Sequence, residues 1–169
     1  MRLVVLTGAS GSGKTTIARA IEQRHANLAT VLFFDSIGIP PVEQRIAEHG
    51  AGEAWQKAAT LRWMQRIAAM REQDRDILFE GQSRISFLTQ GIALAGIAEF
   101  RIVLVDCDDT TRTHRLLHDR KQPDLANPTM MNWAKFLRAE AELAGCEVLD
   151  TSTASLEACV ERVCSLFGR

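Results

Sequence analysis

The chain predicts an α/β fold built on a doubly wound parallel sheet, and three observations carry that prediction. Five short apolar runs recur: RLVVLT (2–7), TVLFF (30–34), DILFE (76–80), RIVLVD (101–106) and CEVLD (146–150). Each is nearly continuous rather than alternating, the pattern of parallel strands covered on both faces. Segments with helical spacing separate them, so strand and helix alternate along the chain. Four of the five runs also meet an acidic or glycine-rich turn, at Gly8, Asp35, Glu80-Gly81 and Asp106. In open parallel sheets the ligand crevice lies beyond the carboxyl ends of the strands, so these residues are expected to converge on one site.

The first run leads into GASGSGKTT (8–16), in which Gly8, Gly13, Lys14 and Thr15 fit G-x-x-x-x-G-K-[ST]. Glycines let the backbone curl until successive N–H groups face phosphate oxygens. The helix TTIARAIEQR then adds the positive end of its dipole. Gly8, Ser10, Gly11, Ser12, Gly13, Lys14, Thr15 and Thr16 are therefore expected to hold the phosphates of ATP. Lys14 reaches the β- and γ-phosphates, and the Thr15 hydroxyl ligates Mg²⁺.

Asp35 ends the second run in FFDSIGIPP, opposite the γ-phosphate, as the expected base for an attacking hydroxyl. The alternative task for an Asp before Ser-x-Gly is to cap the turn. The connection 36–75 begins at Pro40-Pro41, holds a helix stopping near His49-Gly50, and continues in a longer helix from about Glu53 to Gln73. Its stripe of Trp55, Ala59, Trp63, Ile67 and Met70 reads as core, with an acceptor pocket lined by one tryptophan as the alternative.

Glu80 closes the third run in DILFEGQSR and is expected to help place Mg²⁺. Gln82 and Arg84 follow on the loop, positioned to bind an acceptor, while Asp76 opens the run at the opposite, surface end. DCDDTTRTHRLLHDRK (106–121) crowds Arg112, Arg115, Arg120 and Lys121 onto one helix. Arg115 and Arg120 are the expected phosphate-binding arginines, Arg138 is a third candidate, and His114 and His118 are read as structural. RKQPDLANPTM breaks the helix from Thr110 before another begins near Met131, giving a candidate lid over about 120–131. The small polar turn LDTSTAS (149–155) stands where an adenine base commonly lies.

A chain of 169 residues predicts a single domain spanning 1–169. A formal net charge of −1 gives no electrostatic case for binding nucleic acid or a membrane surface. Cys107, Cys146, Cys159 and Cys164 form no C-x-x-C and read as reduced packing residues. The first apolar run is too short for a signal sequence or a span, so a cytoplasmic protein is expected, its oligomeric state open.

These parts together resemble the small P-loop kinases, the superfamily of adenylate, shikimate and gluconate kinases, in order over nearly the whole chain. FEGQSR looks like the D-G-F-P-R after the third strand of adenylate kinases, with Glu80 in place of Asp. THRLLHDR looks like their lid-entry R-[IL]-x-x-R, although Arg115 and Arg120 stand one residue too far apart. Asp35 matches the strand-end carboxylate of shikimate kinase and chloramphenicol phosphotransferase. The resemblance implies a three-layer P-loop NTPase fold with strand order 2-3-1-4-5, Mg-ATP, and a small acceptor. Adenylate kinases grip an acceptor phosphate through D-x-x-R after the second strand, where this chain has Gly38. That departure favours an unphosphorylated acceptor, with Arg45 or Arg62 as possible substitutes.

The expected activity is transfer of the γ-phosphoryl group of Mg-ATP to a hydroxyl or phosphate of a small polar acceptor such as a nucleoside, nucleotide, sugar or antibiotic. Lys14, Asp35, Arg115 and Arg120 would carry the chemistry, Thr15 and Glu80 the metal, and Asp35, Glu80, Gln82 and Arg84 the acceptor. The alternatives are a regulatory ATPase module and a polynucleotide end kinase, the latter disfavoured by the few cations in 36–60.

Overall fold

Alternate residues of the first strand, Leu3–Thr7, face two different cores. The structure is a computed structural model that describes residues 1–49 and 52–168. The strands are β1 (Leu3–Thr7), β2 (Thr30–Phe33), β3 (Ile77–Glu80), β4 (Phe100–Asp106) and β5 (Glu147–Asp150). They form one parallel sheet of order β2-β3-β1-β4-β5, the order the resemblance implies. Its helices are α1 (Lys14–Arg24), α2 (Val42–His49), α3 (Gly52–Ala69), α4 (Ile85–Leu94), α5 (Asp109–His114), α6 (Pro128–Leu143) and α7 (Leu156–Ser165).

Leu3 and Val5 pack with Ile77, Phe79 and Leu104 against α3, α4 and α6. Val4 and Leu6 pack with Leu78, Val103 and Val105 against α1 and α7. Burial on both faces is why these strands read as unbroken apolar runs. Each such Leu, Val, Ile or Phe contributes roughly 1.5–3 kcal/mol on burial. The stripe on α3 is core as read, with Trp55, Ala59, Trp63 and Ile67 buried and Met70 partly so.

Several boundaries differ from the sequence reading. β2 stops at Phe33, and a 3₁₀ turn over Phe34–Ile37 follows, closed by Gly38 N–H donating to the Asp35 carbonyl at 3.0 Å. Asp35 therefore sits in that turn rather than at a strand end. α3 ends at Ala69 and tightens to a 3₁₀ turn through Gln73, with Asp74 in the left-handed region. α6 begins at Pro128, earlier than Met131, because Asn127 caps it and accepts from Met130 N–H at 2.9 Å. Proline is at home at the first helical position, where its missing N–H has no partner to lose. α2 runs to His49, and the expected stop at Gly50 lies outside the described residues.

The cysteines are free thiols, Cys107 and Cys159 buried, and burial pushes all four thiol pKa values up. No described helix is long and apolar enough to cross a membrane.

Candidate active site

The phosphate loop lies on the end of β4. A Cβ at Gly8 would sit 2.2 Å from the Val105 carbonyl oxygen, so only glycine permits this approach. Beneath the loop, Arg112 of α5 is fully buried and donates to the carbonyls of Ser10 (2.9 Å) and Cys107 (3.1 Å). Asp106 holds its guanidinium in an ion pair and accepts from Arg138 Nε at 2.9 Å through its other oxygen. Asp106 is thus a support under the crevice, and Arg112 and Arg138 serve it; the charged run had offered no sign that one arginine was core.

Lys14 opens α1 with its side chain buried, Nζ 3.9 Å from Glu80 Oε1. The Thr15 hydroxyl donates to the same Glu80 oxygen at 3.0 Å. Burial lowers the Lys14 pKa despite the nearby Glu80 carboxylate, and raises that of Glu80 despite Lys14. Both charged forms are desolvated and wait for compensating charge. A hydroxyl backed by a carboxylate at the end of a parallel strand is an oxygen donor set that suits Mg²⁺. These residues fit the metal that the fold implies.

Two cavities meet at Lys14 and Thr15. One, about 250 Å³, runs from Gly11 and Gly13 past Thr16 to Arg115, Thr151 and Leu156. The other, about 230 Å³, runs from Ser10 past Asp35 and Trp55 to Gln82. Lys14, Thr15 and Arg120 line both.

Arg115 and Arg120 reach the first cavity together because the helix widens to a π turn over Arg115–Asp119, with Arg120 N–H donating to the Arg115 carbonyl at 2.9 Å. An α-helix would have left residues five apart roughly 140° out of phase. Arg115 spends its donors on Thr151, at 2.8 Å to both hydroxyl and carbonyl, and on the Gly11 and Ser12 carbonyls at 3.4 Å. It ties the closing turn to the phosphate loop. His114 and His118 pack against each other with tilted rings, centroids 4.6 Å apart.

Of the expected acceptor residues, Asp35, Glu80 and Gln82 line the second cavity and Arg84 does not. Asp35 is exposed there, and the 3₁₀ turn takes no side-chain cap. Arg84 is drawn away by Glu53 at 2.8 Å and by the faces of Phe87, Trp133 and Phe136. Arg62 is exposed outside this lining, and the Arg45 side chain lies outside the described residues. Trp63 is core and donates to the Phe34 carbonyl at 3.2 Å, whereas Trp55 is both core and cavity wall. Gln56 was missed. Its Nε2 donates to the Gln82 carbonyl at 3.1 Å, and Ser10 Oγ donates to Gln82 Oε1 at 3.2 Å.

A family model described as an AAA domain matches residues 4–133. The chain belongs to that AAA-domain family. Comparison with curated proteins gives no match. Among solved structures, this AAA-domain chain is similar to a gluconokinase from Sinorhizobium meliloti, with TM-score 0.69 and 16% identity over 99% of this chain and 92% of that one. A shikimate kinase from Acinetobacter baumannii in complex with shikimate gives 0.63 and 13%, over 98% and 92%. An APS kinase from Mycobacterium tuberculosis in complex with AMPPNP and APS gives 0.62 and 18%, over 99% and 98%. The fold of this AAA-domain chain is that of the small P-loop kinases.

Proposed function

We propose that the protein is a kinase transferring the γ-phosphoryl group of Mg-ATP to a hydroxyl of a small polar acceptor. The observation that carries this reading is the pair of cavities meeting at Lys14, Thr15 and Arg120, one flanked by the phosphate loop and the other by Asp35. A hydrolase needs only the first cavity; a transferase needs a second room on the far side of the γ-phosphate.

Nucleotide phosphates lie along the backbone of Gly8–Thr16, with the base toward Thr151, Ala154 and Leu156. Lys14 and Arg120 bind the transferring group from both cavities, and Arg115 holds the loop and closing turn in register. Thr15 and Glu80 would hold Mg²⁺, which would supply charge neutralisation to the phosphates when bound. Asp35 accepts the proton of the acceptor hydroxyl. Ile39, Trp55 and Gln56 of the segment 36–75 supply the acceptor wall, and the loop 120–127 ahead of α6 the lid.

The test is ATP consumption by the purified protein with Mg²⁺, first alone and then against a library of nucleosides, nucleotides, sugars, small acids and aminoglycosides. Consumption that one acceptor accelerates and Asp35→Asn abolishes is the expected result. Steady hydrolysis that no acceptor changes and Asp35→Asn leaves intact would replace this reading with a regulatory ATPase module.

A further inference from the structure

We infer that the acceptor is a hydroxylated ring compound without negative charge, a sugar or aminosugar, rather than an acid or a phosphate ester; this rests on the phosphotransferase reading above. The charge distribution in the second cavity carries it. Among the described residues, its cations are Lys14 and Arg120, and both also line the nucleotide-side cavity. With ATP bound they face its phosphates. Of the cations next to this wall in sequence, Lys57 lies over the Phe87 ring and Arg84 is held by Glu53 at 2.8 Å and by three aromatic faces.

An incoming acceptor therefore meets the Asp35 carboxylate, two amides and an apolar wall of Phe34, Ile39 and Trp55. A carboxylate or phosphate on that acceptor stands beside Asp35 with no further cation among the described lining residues to offset the repulsion. A hydroxyl or protonated amine meets no such repulsion.

The amides sharpen the preference. Gln56 Nε2 spends one of its two N–H groups on the Gln82 carbonyl, which leaves the other N–H to donate and Oε1 to accept. Gln82 Oε1 is committed to Ser10 Oγ, which leaves its Nε2 to donate. Donors and an acceptor left on the two amides match neighbouring hydroxyls, which both give and take hydrogen bonds. The Trp55 and Phe34 rings, packed edge to face at 6.0 Å, add an apolar wall to the cavity.

The test titrates D-glucose, D-glucosamine, D-gluconate and glucose 6-phosphate into the protein loaded with Mg²⁺ and a non-hydrolysable ATP analogue, by calorimetry. Glucose and glucosamine should bind at least tenfold more tightly than gluconate or the phosphate ester. Asp35→Asn should narrow the gap between glucosamine and gluconate, and Gln56→Arg should raise gluconate binding relative to glucose at least tenfold. Tighter binding of gluconate or the phosphate ester, or binding of none of the four, would overturn the inference. Phosphoryl transfer is measured separately. Gluconate phosphorylated from ATP keeps the kinase reading and removes this acceptor class. A sugar that binds in the expected charge order while no compound of the acceptor library is phosphorylated removes the kinase reading instead.

Discussion

The Thr15 hydroxyl donates a 3.0 Å hydrogen bond to Glu80 Oε1, joining the first turn of α1 to the last residue of β3. The same oxygen lies 3.9 Å from Lys14 Nζ, so one carboxylate orients both the hydroxyl and the ammonium of the phosphate loop.

Burial raises the Glu80 pKa, and this predicts a pH dependence for nucleotide binding. The metal role proposed for Glu80 requires the carboxylate, and on that proposal Mg-nucleotide affinity should fall with acid through a limb lying above the usual carboxylate range. Glu80→Gln should weaken affinity at neutral pH and flatten that limb, as read by a fluorescent ATP analogue. For the ligand-free fold the sign is reversed. A carboxyl raised on folding contributes stability that is present below its unfolded value and lost as pH rises through the folded one.

Asp106 is the common anchor of Arg112 and Arg138. Asp106→Asn leaves the buried Arg112 guanidinium without its counter-charge, and a broken buried pair typically costs about 3–5 kcal/mol. Denaturant unfolding should register a loss of that order. Arg138→Ala, removing the half-exposed partner, should cost about 1 kcal/mol or less.

Gly81 packs against Phe34 so closely that a Cβ would lie 2.4 Å from the Phe34 Cβ. Gly81→Ala must displace the turn that carries Asp35. Overpacking of this kind costs about 1–3 kcal/mol. Acceptor KM should rise while nucleotide affinity, measured separately, changes little.

Arg84→Met should leave acceptor KM within about twofold, because the side chain lies on Phe87, Trp133 and Phe136 instead of in the cavity. Thermal unfolding should show a loss of about 1 kcal/mol from the cation–π contacts. A large rise in KM would return Arg84 to the acceptor site.

The strands were legible because burial on both sheet faces leaves an unbroken apolar signature, and the phosphate loop because its backbone geometry demands glycines at fixed spacing. Side-chain direction was not legible. Arg84 stands in the right loop for an acceptor contact, but the aromatic residues that claim it lie on α4 and α6, and Glu53 lies on α3. Arg112 reads as one more surface charge, since the carboxylate that buries it is six residues away and the carbonyl it grips is in another segment. Gln56 follows a tryptophan on a core helix, and periodicity reports the tryptophan's burial without separating the residue beside it.

The π turn between Arg115 and Arg120 changes what counts as a match in this part of the chain. An added residue is taken up as extra girth in one turn, so the two guanidiniums keep a common angular phase while their separation in sequence lengthens. A chain shortened by one residue there would close as an ordinary α turn with both arginines still facing the nucleotide-side cavity. Alignment by spacing counts the pair as misregistered; alignment by rotation about the helix axis does not.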